Sequence, residues 1–73
     1  MNESRKQINY VVALVSEFAA RHNLSKKQAF QFMYDYKAIE FIKENYEIEH
    51  TLSFEDAVED CTRICLNNGG ALA

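Results

Sequence analysis

No proline occurs anywhere in the 73 residues, and the only glycines stand together as Gly69 and Gly70. A chain with so few backbone breakers is committed to long uninterrupted elements almost to its end. Apolar spacing decides which kind. Ile8, Val11, Val12, Val15, Phe18 and Ala19 recur at i, i+3, i+4 and i+7. That pattern lays them on one face of a helix running from Glu3 or Ser4 to about His22. Asn23 suits the left-handed position that ends such a helix, and Leu24 follows as a hydrophobic staple.

Ser25 and Gln28 have capping-box spacing, so a second helix starts there. In the run Phe30 to Tyr36, aromatic residues alternate with the period of a strand. A solitary strand would have no partner in the monomer and would leave an open edge, so the segment is read as helix. A break near Tyr36 and Lys37 precedes a short third helix carrying Ile39, Ile42 and Tyr46 on one face, with Phe41 alongside. Glu47 to Leu52 reads as a connector. Ser53 then caps a fourth helix with Glu55 and Asp56 in its first turn, where acids oppose the helix dipole favourably. Its buried stripe is Phe54, Ala57, Val58, Cys61, Ile64 and Cys65, and Gly69 is its natural stop. The expected architecture is a single all-α domain over residues 1–73, four helices in a compact irregular bundle, with a frayed tail at 70–73.

A domain this short buries roughly 60% of its unfolded surface. Its core seldom supplies more than about 3 to 5 kcal/mol of net stability, so small proteins often add disulfides, a metal or a partner subunit. Cys61 and Cys65 are the only cysteines and stand four apart. On a helix they share one face and would cross-link little of the chain, so they are read as free, buried thiols in a reducing compartment. A zinc site would need His22, His50 and the cysteine pair to converge from three separate elements, and no metal or cofactor is expected. The apolar run Tyr10 to Val15 is short for a signal core, and no stretch approaches the roughly 20 apolar residues of a membrane span. The expected location is cytoplasmic.

Charge is distributed unevenly. Residues 1–37 hold six Lys/Arg against three acids and residues 38–73 hold two against eight, so the halves carry +3 and −6. Between Glu44 and Asp60 there are seven acids and no Lys or Arg. The halves either face and neutralise each other, or the acidic half steers a basic partner. A net charge of −3 repels phosphate backbones, which makes nucleic acid a poor partner. Asn23 to Ala29 does look like the start of a helix-turn-helix, leaving a DNA-binding regulator as an alternative. The helix that would read bases carries Glu40, Lys43 and Glu44, the wrong sign for phosphates. Glu47 and His50 have a spacing used in helical metal-carboxylate sites, but no second motif matches it and no nucleophile is placed beside His50. The chain is therefore read as no enzyme, with His50 capping a helix end or ordering the connector.

Nine aromatic residues are too many for so small an interior, and tyrosines suit interfaces. Tyr34 and Tyr36, with the acids Glu47, Glu49, Glu55, Asp56, Glu59 and Asp60 and the neighbouring His50, form the candidate partner-binding surface of a small protein-protein interaction module. Self-association is a further alternative, with the oppositely charged halves docking antiparallel in a homodimer.

From Leu24 to Cys65 the chain resembles a family of short bacterial proteins known as a domain of unknown function, the thirty-seven ninety-one family. The likeness is carried by Leu24 and Ser25 opening a helix, the block Ala38 to Ile42, Tyr46, His50 with Thr51, and Val58 to Asp60. Cys61 and Cys65 stand where larger apolar residues are expected. The resemblance implies a cytoplasmic, non-enzymatic protein. It also implies an antitoxin-like companion role beside an ADP-ribosyltransferase-like neighbour, and it supplies no catalytic residues.

Overall fold

The long first helix, α1, spans Asn2–His22 in the computed structural model, which describes the backbone of residues 2–72 and the side chains of residues 5–72. Asn23 ends it as expected, at φ 56°, and the Leu24 amide donates to the Ala19 carbonyl at 2.9 Å. This is the closing bond of a Schellman turn, and it sets Leu24 against the core. The turn is three residues long, so α2 (Lys26–Asp35) must fold straight back along α1. Its capping box forms in full. The Gln28 amide donates to Ser25 Oγ at 3.0 Å, and the Ser25 amide donates to Gln28 Oε1 at 2.9 Å. A cap of this kind contributes about 1 kcal/mol.

Lys37 makes the break between α2 and α3 (Ala38–Glu44) by adopting φ 77°, with no side-chain cap. A residue with a Cβ pays roughly 1 kcal/mol for that conformation, and glycine does not. The Lys37 side chain is exposed. A Lys37→Gly variant is therefore expected to gain roughly 0.5 to 1 kcal/mol in urea unfolding despite its freer unfolded chain; a loss would contradict the strain argument.

The third helix stops sooner than its apolar pattern suggests. Asn45 leaves helical geometry at φ −118°, ψ 24°, and its side-chain amide donates to the Phe41 carbonyl at 2.9 Å. Tyr46, expected on the third helix, thus begins a separate single turn, α4 (Tyr46–Glu49), that runs into the segment from Glu47 expected to be a connector. Ser53 then caps α5 (Phe54–Asn67), accepting from the Asp56 amide at 3.1 Å. The fold is all-α, with four helices of seven residues or more plus this extra turn. No strand occurs among the described residues.

The core lies where α1 meets α2, α3 and α5. Leu14, Val15, Phe18 and Ala19 come from α1, and Met33, Ile42, Val58, Cys61 and Cys65 come from the other helices. Ala29, Ala38 and Ala57 are fully buried between them, and such small side chains let helices approach closely. His22 ties α1 to α5. Thr62 spends its one proton on the Val58 carbonyl at 2.8 Å, so His22 Nε2–H is the donor in the 2.9 Å bond to Thr62 Oγ1.

Three expectations about burial fail, the first being Phe54, which opens the α5 stripe but is 39% exposed. Ile8 and Val12, on the periodic face of α1, point away from the core. The segment after α5 does not fray. Gly69 takes φ 94°, the Gly70 amide donates to the Cys65 carbonyl at 2.9 Å, and Leu72 packs on the core. A Cβ on Gly70 would lie 2.8 Å from Cζ of Phe32 and 2.9 Å from the Cys65 carbonyl oxygen, so only glycine lets the chain turn in this closely. Ala73 lies outside the described residues.

Candidate functional site

The acidic stretch does not form one surface. Glu47, Glu55, Asp56 and Glu59 are exposed and Asp60 is partly so, but Glu49 is 4% exposed and is a correction to the expected contact face. It falls on the inner side of the single turn α4, three residues after Tyr46, and meets α5 at Asp60. Burial, followed by a hydrogen bond with the Asp60 side chain and by the Asp60 charge, pushes the Glu49 carboxyl up to about 7, while Arg63 pulls it down. No donor reaches Oε1 of Glu49, and a neighbouring carboxyl brings one only when the pair shares a proton. Glu49 is thus held toward its protonated form on the inner side of the pair, while Asp60 reaches partly into solvent beside Arg63.

Tyr10 closes the pair from the α1 side. Its hydroxyl donates to the Glu49 carbonyl at 3.0 Å, and burial and the Glu49 charge push it up to about 12. The Tyr10 ring meets Tyr46 edge-on at 5.6 Å and stacks on Phe54 at 5.8 Å. His50 closes α4, as expected of a capping histidine. Its Nδ1–H donates to the Tyr46 carbonyl at 2.7 Å, and its ring stacks on Tyr46 at 4.5 Å. Thr51 donates to the Ile48 carbonyl, which orders the connector.

Among the described residues, no ion pair joins the two halves of the chain. The one salt bridge among the described residues is Arg63 to Asp60 at 3.4 Å, and both lie on α5. Cys61 and Cys65 are free and fully buried. Burial drives the Cys61 thiol far above its usual range and pushes Cys65 up to about 11, so neither is a thiolate near neutrality. No cluster of three or more metal-ligating side chains occurs among the described residues. The helix that would read DNA, α3, is seven residues long and exposes Glu40 and Glu44.

Tyr34 and Tyr36 part company. Tyr36 is half-buried against Phe32, with ring centroids 4.8 Å apart, beside the Gly70 turn. This corrects its place in the contact surface. Tyr34 is 63% exposed and stacks with Phe30, one turn earlier on α2 and 45% exposed.

Phe30 leads to the feature that sequence reasoning missed. Two surface hollows, of about 440 and 270 Å³, share Val11, Val12 and Phe30 and so form one continuous trough. Ile8 and Val12, 63% and 60% exposed, stand along its α1 side, and Ile39 of α3 closes the far wall. Lys26 and Lys27 sit at one end and Lys43 at the other, and no acid among the described residues lines either hollow. Singly exposed apolar residues mean little, but here Ile8 and Val12 of α1 and Phe30 of α2 are exposed together around one hollow. The signal was present in the periodicity of Ile8 and Val12, which reports an apolar face without saying what covers it.

Fold and surface together define a small all-α domain with an apolar, lysine-flanked trough and a carboxyl pair whose inner member, Glu49, is buried. A family model described as "Protein of unknown function (DUF3791)" matches residues 9–68, and the chain belongs to that family. The match extends the likeness seen from Leu24 to Cys65 back into α1. No curated protein and no solved structure matches the chain. No helix of the described residues is long and apolar enough to cross a membrane.

Proposed function

We propose that this domain is a protein-interaction module whose contact surface is the trough between α1, α2 and α3. The observation that carries the reading is the joint exposure of Ile8, Val12 and Phe30 around a hollow that the other described residues leave open. Burying such rings and branched side chains returns about 25 cal/mol per Å², enough to drive association where polar surface is not. The proposal moves the contact surface away from the acidic stretch, because Glu49 is interior and Tyr36 faces the core. It assigns no catalysis. The thiols are buried, the Glu49 carboxyl is sealed, and His50 Nδ1 is committed to a carbonyl.

The antitoxin-like companionship implied by the family resemblance fits a module of this kind, with an ADP-ribosyltransferase-like neighbour as the partner to try first. Free, protonated thiols fit a cytoplasmic location. The test is affinity capture from an extract of the source organism with the parent chain and with a folded Val12→Lys, Phe30→Ser variant. A partner retained by the parent and lost by the variant is the expected result; equal retention by both would reject the trough as the contact surface.

A further inference from the structure

We infer that the trough takes an acidic amphipathic helix from another protein. This inference rests on the trough being a binding surface and adds the chemistry of its occupant. Backbone comes first. All three walls are helices, whose N–H and C=O groups are spent on internal hydrogen bonds, so no open edge exists for a strand to pair with. An occupant must therefore satisfy its own backbone, which a helix does. The α1 side from Gln7 to Ser16 is about 14 Å long at 1.5 Å per residue, room for roughly two and a half turns. Ile8 and Val12 are four apart on α1 and Phe30 faces them from α2, an apolar spacing that receives side chains repeating every three or four residues.

Charge decides the sign of the occupant. Among the described residues, Lys26, Lys27 and Lys43 are the only charged ones lining the two hollows; all are exposed and none makes an ion pair with a described residue, although Glu40 and Glu44 border Lys43 on the adjoining hollow. Asp or Glu flanking the occupant's apolar stripe would meet them. A second copy docked face to face would set lysine against lysine whether the two-fold axis runs along the trough or across it, so a two-fold dimer through this surface is disfavoured.

The probes are two synthetic helical peptides of about 18 residues with the same Leu/Ile stripe, one flanked by Glu and the other by Lys. Isothermal titration of the full chain should show the acidic peptide binding roughly tenfold or more tighter, given exposed charge pairs worth about 0.2 to 1 kcal/mol each. A Lys26→Glu, Lys27→Glu, Lys43→Glu variant should reverse the preference, and Phe30→Ala should weaken both peptides. Equal affinity for the two peptides, abolished by Phe30→Ala, would overturn the acidic partner and leave the trough standing. Failure of both peptides to bind at millimolar concentration would overturn both readings, whereas self-association blocked by Phe30→Ser would overturn the acidic partner and leave the trough standing as a contact surface.

Discussion

A Glu49→Gln variant will be more stable than the parent at pH 8 and no more stable at pH 5. The Glu49 carboxyl titrates near 4.5 when unfolded and at about 7 in the folded chain, so between those values the folded state holds the proton that the unfolded state has released. Stability from this group is complete below about pH 4.5 and is lost as pH rises through 7. A shift of this size corresponds to at most about 3.5 kcal/mol, at roughly 1.4 kcal/mol per pH unit. Glutamine is uncharged at every pH and brings an N–H donor for the Asp60 carboxylate, so it removes the penalty.

Other groups face the same pocket and set the form of the measurement. Asp60 and Arg63 of α5 act on Glu49 directly, and Tyr10 of α1 and the Cys61 thiol lie beside it. His22 works in the opposite sense. Burial and then Arg21 lower it, so its contribution to stability is lost as pH falls through the imidazole range. The quantity to measure is thus the difference between variant and parent in urea unfolding from pH 5 to 8.5, from which His22 cancels. That difference should grow by about 2 kcal/mol across the range. A flat difference would mean that Glu49 is ionised throughout.

Replacing Phe18 by alanine is expected to unfold the domain at 25 °C. Phe18 has no exposed surface, and its ring lies 4.5 Å from that of His22 and 6.1 Å from that of Phe32. It is the largest fully buried side chain, on the helix that contacts α2, α3 and α5. Truncating a buried phenylalanine costs about 3 to 5 kcal/mol, which matches the whole net stability of about 3 to 5 kcal/mol that a core of this size supplies. Circular dichroism should show most of the helical signal gone, and Phe18→Leu, which leaves a smaller void, should keep it. A cooperative thermal transition in Phe18→Ala above 45 °C would show that the core is more redundant than the packing indicates.

The fold was legible wherever a local rule sufficed. Ser25 with Gln28, Asn23, Ser53 and Gly69 each mark a helix boundary through chemistry contained in a few neighbouring residues, and each stands where expected. The early end of α3 was not legible, because Asn45 stops it with a bond to Phe41 while the apolar pattern runs on to Tyr46. Lys37 in a left-handed conformation has no sequence mark, since glycine or asparagine would be the usual sign.

The candidate site was read less well, and for one reason. Sequence shows which faces are apolar or charged, and only the packing shows what covers them. Ile8 and Val12 repeat with the same period as Val15 and Phe18, yet the neighbouring helices reach only the second pair. Glu49 sits among six other acids, and nothing in that run distinguishes the one that turns inward. Tyr34 and Tyr36 differ by two positions, about 200° around a helix, which is enough to place one outside and the other against the core.

The enclosure of Cys61 and Cys65 has a practical consequence. An alkylating reagent cannot reach either sulfur until α5 parts from its neighbours, so the rate of thiol labelling reports how often the domain opens. Measured beside urea unfolding, that rate separates partial loosening of α5 from complete unfolding without any added probe.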